Sequence, residues 1–171
     1  SGYATFEKAV FSEGVDLSDS TFAKGADFFE AIFNGVPSFA RASFTGAADF
    51  RSALFSDQAF FGAAVFKQGG DFSHALFSKT VNFTDARFSG PTLFSPVLRE
   101  EATFEKIVSE PKDSLRFISI DLSRCRLLGT DARQIYFLDV RWASIGRRDG
   151  VYDEVIRLQP GEQRQWAQIE E

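Results

Sequence analysis

Six consecutive blocks of eleven residues decide the fold: GADFFEAIFNG (25–35), VPSFARASFTG (36–46), AADFRSALFSD (47–57), QAFFGAAVFKQ (58–68), GGDFSHALFSK (69–79) and TVNFTDARFSG (80–90). Each block carries Phe at its fourth and ninth positions, so rings recur at alternating gaps of five and six residues. Outward from these blocks the alternation runs without a slip through Phe6, Phe11, Leu17, Phe22, Phe28, Phe33, Phe39, Phe44, Phe50, Phe55, Phe61, Phe66, Phe72, Phe77, Phe83, Phe88 and Phe94. An α-helix needs apolar residues about 3.6 apart and a free strand needs them 2 apart. Gaps of five and six fit neither. Two residues before most centres stands a small residue, as at Ala26, Ala42, Ala53 and Ala64, and the residue between is usually polar, as at Asp27, Ser43, Asp49, Asp71 and Asn82. The pattern describes a chain that turns a corner after every short extended piece. Each side sends one small and one large residue inward and one polar residue outward, and Gly, Ser, Asp and Asn supply the turns.

Four sides make a coil wide enough to enclose large rings, whereas two would leave it too thin. A coil is then 22 residues, and the centres fall into four columns: Phe6-Phe28-Phe50-Phe72-Phe94, Phe11-Phe33-Phe55-Phe77, Leu17-Phe39-Phe61-Phe83 and Phe22-Phe44-Phe66-Phe88. Adjacent strands lie about 4.8 Å apart, and offset-stacked rings favour centroid separations of roughly 4.5–7 Å. Phe can therefore repeat indefinitely within one column. Each buried ring contributes about 1.5–3 kcal/mol, set against a large backbone entropy cost.

This pattern resembles the pentapeptide-repeat proteins, whose unit is A-(D/N)-(L/F)-x-x. The resemblance covers residues 4–94 and implies an all-β fold, a right-handed quadrilateral parallel β-helix. The departure is one extra residue in alternate pentads: Tyr3, Gly14, Gly25, Val36, Ala47, Gln58, Gly69, Thr80 and Pro91. These are expected as bulged corners along two opposite edges.

Four segments are expected. Residues 1–94 form the Phe-rich β-helix. Phase is then lost, because continuing it would put Arg99 at a core centre. Residues 95–114, with two prolines and many charges, read as an irregular coil with a protruding loop near Glu110-Pro111-Lys112-Asp113. Within them Ala102-Thr103-Phe104 looks like a single repeat side. Strict pentads occupy 115–144, centred on Phe117, Leu122, Leu127, Ala132, Phe137 and Trp142, with inward partners that include Ile120 and Cys125. Residues 145–171 begin with a turn at 146–150. Helical spacing follows at Val151, Val155 and Leu158. They are expected to form a short C-terminal α-helical cap over the apolar end of the solenoid, or the start of a longer helical segment.

Composition narrows the function. The 171 residues include 21 Phe and no Met, as expected where one packing problem is solved many times. The net charge of −5 is interspersed, not the basic footprint of a nucleic-acid binder. Cys125 is the only cysteine, which rules out an internal disulfide and fits a reducing, cytoplasmic setting. No stretch approaches the 18 or so apolar residues of a membrane span. From the start at Ser1-Gly2-Tyr3, without Met, the chain is expected to be a piece of something longer.

No catalytic constellation stands out, and the chain is read as a non-enzyme without cofactor or metal. His74, the single histidine, falls at an outward corner without ligating company. Cys125 falls at an inward position, where a thiol is inert. The Asp residues lack the denser Gly-Gly-x-Gly-x-Asp pattern of calcium-binding β-helix repeats. Arg124, Arg126, Arg133, Arg141, Arg147 and Arg148 lie in a 25-residue window, and with Tyr136 they form a candidate partner surface.

The leading reading is a structural or protein-interaction module on a rigid solenoid. The resemblance offers two others. Some pentapeptide-repeat proteins mimic B-DNA and bind type II topoisomerases, but ten acidic and seven basic residues over 1–94 make a weakly negative surface. In certain bacterial proteins a Phe-rich run is followed by Arg-rich pentads, helices and, in some, a channel-like membrane part. On that reading this chain is the soluble portion of a larger protein, reaching a membrane only through a downstream segment. Members of the family also dimerise end to end through a terminal coil, which makes a homodimer a candidate assembly here.

Overall fold

The structure is a computed structural model that describes residues 2–145 and 148–150, with side chains through Ala143. It is an all-β parallel solenoid of about six turns. Four sheets of seven, five, six and five strands form its walls, and through Leu115–Ile118 each successive strand in the chain joins the next sheet in turn. We call them the first to fourth sheets, opened by Ala4–Thr5, Val10–Phe11, Val15–Asp16 and Thr21–Phe22. Each strand pairs in parallel with the one a coil later, and the register is 22 residues: Ala4 with Ala26, Leu54 with Leu76, Phe66 with Phe88.

The expected columns form. Twelve phenylalanines from Phe28 to Phe88 are fully buried. Rings stack along each column, as between Phe33 and Phe55 at 4.9 Å and 7° or Phe39 and Phe61 at 4.8 Å and 6°. Between the first and third columns the rings meet edge to face, Phe50 on Phe61 at 5.5 Å and 87°, Phe61 on Phe72 at 5.7 Å and 86°. Quadrupolar rings favour both arrangements, so the core is stacked lengthwise and interlocked crosswise. At the first coil Phe6, Phe11 and Leu17 are only half-buried.

Local chemistry sets the corners. After each centre of the first and third sheets from Phe6 to Phe83, the centre's carbonyl accepts from the amide three residues on, as from Ala31 to Phe28 and from Ala64 to Phe61. The second corner residue has positive φ, at Lys8, Asp19, Glu30, Arg41, Ser52, Ala63, His74 and Asp85. That is the geometry of a type II turn built without glycine. The polar residue before the centre anchors it. The Asp27, Asp49 and Asp71 carboxylates and the Asn82 carbonyl each accept from the amide two residues on. Asp71→Ala is therefore expected to cost about 1 kcal/mol, the usual loss for a side-chain cap. Asp71→Asn, which keeps the acceptor, is expected to cost a few tenths at most. Thermal melts of the two variants check this.

Three expectations change. Residues 95–114 are not an irregular coil. Val97–Leu98, Ala102–Thr103 and Val108–Ser109 pair into the second, third and fourth sheets. The phase break is a slip of one residue: Leu98, not Arg99, follows Phe94, and the next columns pair at 21 residues. Leu98 is smaller than the Phe it replaces, and Phe94 leaves its own stack, tilting 47° to Phe72 and lying nearly parallel to Phe77 at 6.4 Å. Phase returns with the longer span from Ser109 to Phe117, which holds Glu110–Asp113 at the surface apart from a half-buried Asp113. Second, Ala132 is not a core centre. It is exposed in a 3-10 turn, Ala132–Gln134, capped by Asp131, because a methyl group is too short to hold a side of the coil inward. Third, Arg148–Gly150, expected within a turn, is a strand whose backbone pairs antiparallel with Ala143–Ile145. The cap expected over 151–171 lies outside the described residues. Among the described residues no helix is long and apolar enough to cross a membrane.

Candidate functional site

With small and large residues turned inward, each sheet displays one outward residue per strand. The four rows differ. The first sheet shows Thr5, Asp27, Asp49, Asp71, Leu93, Arg116 and Tyr136. The third shows Asp16, Ser38, Phe60, Asn82, Thr103 and Arg126. The fourth mixes Thr21, Ser43, Val65, Arg87 and Val108. The second sheet is aliphatic: Val10, Ile32, Leu54, Leu76 and Val97. The sequence reading, which took this position as usually polar, missed that row. Its signal is a 22-residue recurrence, visible only when every second pentad of one series is compared.

The arginines near each other in sequence do not share a wall. Arg126 on the third sheet bonds Glu105 at 2.8 Å. Arg133 follows the last side of the fourth column and bonds Asp131 at 2.8 Å. Arg141 extends the second column and pairs with Asp121 at 3.3 Å. Tyr136 ends the first sheet beneath Arg116, whose guanidinium lies 5.1 Å from the ring centre. Only Arg124 and Arg141 come together, with Arg99, Glu100, Asp121 and Ser123 around a shallow hollow. Arg147 and the Arg148 side chain lie outside the described residues.

The electrostatics are those of a solvated surface. The Arg41 guanidinium holds the Asp19 carboxyl below the usual carboxylate range, and Arg133 does the same for Asp131. At Asp121 burial pushes upward, but the Ser123 bonds and the Arg141 and Arg124 charges outweigh it and the carboxyl falls. Such depressed groups stabilise the fold above their unfolded pKa, and that contribution is lost as pH falls through the folded one. All three pairs are exposed, so each contributes little. Cys125 is opposite in kind. It is 1% exposed, and desolvation drives its thiol far above the ordinary range. It should not react with a thiol reagent such as DTNB at pH 8 in the native protein, and should react fully in denaturant. Release of one thionitrobenzoate per chain before unfolding would contradict this. His74 is exposed at its corner with a φ of 59°. No group of three metal-ligating side chains occurs among the described residues.

The family model for pentapeptide repeats (9 copies) matches residues 28–76 and, in overlap, 39–87. Among solved structures the chain is similar to HetL, a pentapeptide repeat protein involved in heterocyst differentiation regulation from the cyanobacterium Nostoc sp. strain PCC 7120. Identity is 15% over 81% of this chain and 82% of that one, with a TM-score of 0.24. No curated protein sequence matches. Residues 28–87, with their centres at gaps of five and six, are thus pentapeptide repeats by the family model, and the coils paired to them on either side continue the same walls.

Proposed function

We propose that the chain is a non-catalytic module for protein interaction, a rigid rod that offers different chemistry on each wall. The supporting observation is the division of labour within the repeat. The inner positions are taken up by the ring core, while the outward rows are free to vary and differ from wall to wall. In this reading the four sheets are the walls of a quadrilateral tube. Its winding is right-handed, the hand that parallel strand-to-strand connections almost always take. Residues 151–171 cap its C-terminal end as a short helical segment. An end-to-end pair of such rods would leave every wall free for partners. The topoisomerase-binding alternative draws little support from the outward rows, where the Asp run of the first sheet is interrupted by Leu93 and followed by Arg116.

The test places a photo-crosslinking amino acid at one outward position per wall, Asp49, Leu54, Phe60 or Val65, in cells of the source organism. A defined protein crosslinked from one wall, and not from the others, is expected. Absence of a crosslink from all four walls, or turnover of a metabolite by the purified chain, would overturn the reading.

A further inference from the structure

The second sheet carries the one wall whose outward row is aliphatic throughout its strands. Val10, Ile32, Leu54, Leu76 and Val97 stand in register on five adjacent strands, Val10 58% and Val97 49% exposed. One flank of this row is the series Ser12, Asn34, Ser56 and Ser78, uncharged until Arg99 continues it beside Leu98. The other is the corner series Lys8, Glu30, Ser52 and His74, in which Lys8 and Glu30 already pair at 3.8 Å. Beyond Val97 the column ends in the Asp121–Arg141 pair. From the unbroken row of aliphatic side chains on this wall we infer that it docks an amphipathic helix of a partner protein, one with a Leu, Ile or Val face and polar flanks.

Three observations select that occupant. Backbone bonds run between coils along the axis, as from Leu76 to Ala53 and from Ser78 to Phe55, so strand edges are left only at the two ends of the sheet and a partner lying on the row cannot add a strand there. Five coils at about 4.8 Å span roughly 19 Å, the length of a helix of about 13 residues. A helical turn of 5.4 Å nearly keeps step with the coils. A row one side chain wide falls well short of the roughly 800 Å² per partner that a standard stable interface buries, which argues against a second copy of this chain held by this wall alone. At the far end of the wall Arg99, Arg124 and Arg141 are interspersed with Glu100 and Asp121, so the wall lacks the unbalanced basic patch that an anionic lipid surface would select.

The inference rests on the interaction reading above and deepens it. A crosslink from a wall other than the second would sink the helix site and leave that reading standing. The direct test titrates the full chain into a fluorescein-labelled 14-residue synthetic helix with Leu at positions 1, 4, 5, 8, 11 and 12 and Ser or Gln elsewhere, read by anisotropy. A scrambled peptide of the same composition is the control. Saturable binding is expected for the patterned peptide alone. Leu54→Glu and the milder Leu54→Ser should weaken it at least tenfold and about threefold, with far-UV spectra and melting curves retained. Val65→Glu, on the fourth sheet, should leave it unchanged. The inference is overturned by absence of saturation, by equal binding of the scrambled peptide, or by equal loss in Val65→Glu. It is also overturned if Leu54→Glu converts a sedimenting dimer to monomer, or abolishes binding to phosphatidylcholine–phosphatidylglycerol vesicles, since a second copy or a lipid surface is then the occupant.

Discussion

Phe61→Ala is expected to lower the unfolding free energy by about 3–5 kcal/mol, the range for emptying a buried aromatic site. Phe61 is fully buried and meets six rings: Phe39 and Phe83 above and below at 4.8 and 4.7 Å, and Phe50, Phe55, Phe66 and Phe72 across the coil. The void has little means of closing. Its walls are rings held by their own stacks, and the backbone around it is fixed by bonds such as Phe61 to Asn82 at 2.7 Å and Phe39 to Phe60 at 2.7 Å. Phe6→Ala is the contrast. Phe6 is half-buried in the first coil and meets only Phe11 and Phe28. Its loss should cost less than half as much, because a terminal repeat has neighbours on one side only. Equilibrium urea unfolding of both variants reads the difference, and equal losses would mean that the rings do not act as a continuous stack.

Gly69→Ala is expected to cost at least about 4 kcal/mol, beyond the range of ordinary substitutions, or to prevent folding altogether. Gly69 sits in one of the six-residue corners at φ +87°, where a Cβ would lie 1.9 Å from the Pro91 carbonyl oxygen and 2.6 Å from its carbon. The left-handed conformation alone costs a side-chain-bearing residue about 1–2 kcal/mol. The obstruction is backbone of the next coil, so relief requires two coils to part. Gly62→Ala isolates the cause. There an added Cβ meets nothing closer than the Thr84 carbonyl at 3.7 Å, and φ is unexceptional. That variant should stay within about 1 kcal/mol of the parent, gaining from a stiffer unfolded chain. Soluble yield and urea midpoints of the two proteins decide it.

These residues show which parts of the fold are readable from the chain. The inward columns are readable because a ring every five or six residues has one way to be buried. Counting fails where a corner loses or gains a residue. Leu98 keeps its column although it follows Phe94 by four residues, and Ser109 occupies a centre as a buried hydroxyl bonded to the Gln134 carbonyl and the Leu115 amide. A slip in a corner leaves the walls paired, so strict phase is more demanding than the structure. Ala132 fails in the opposite direction, since it keeps the phase but lacks the bulk to hold its side inward. The arginine window misleads for a geometric reason. Successive pentads occupy successive walls, so a cluster in sequence is dispersed around the tube, and Arg124 and Arg141 meet only because they fall near one corner. The aliphatic wall is the converse, five residues remote in sequence that become neighbours once the coil closes.

A strand in this solenoid never waits for a distant partner: the Ala26 amide finds the Ala47 carbonyl, the Phe50 amide finds that of Asp71, one lap of chain later each time. Loop closure of such short and equal laps grows only slowly more costly with length, and the topology is quick to assemble for a parallel sheet. A nascent chain leaving the ribosome can thus lay down lap upon lap as it emerges, each finished layer templating the one that follows.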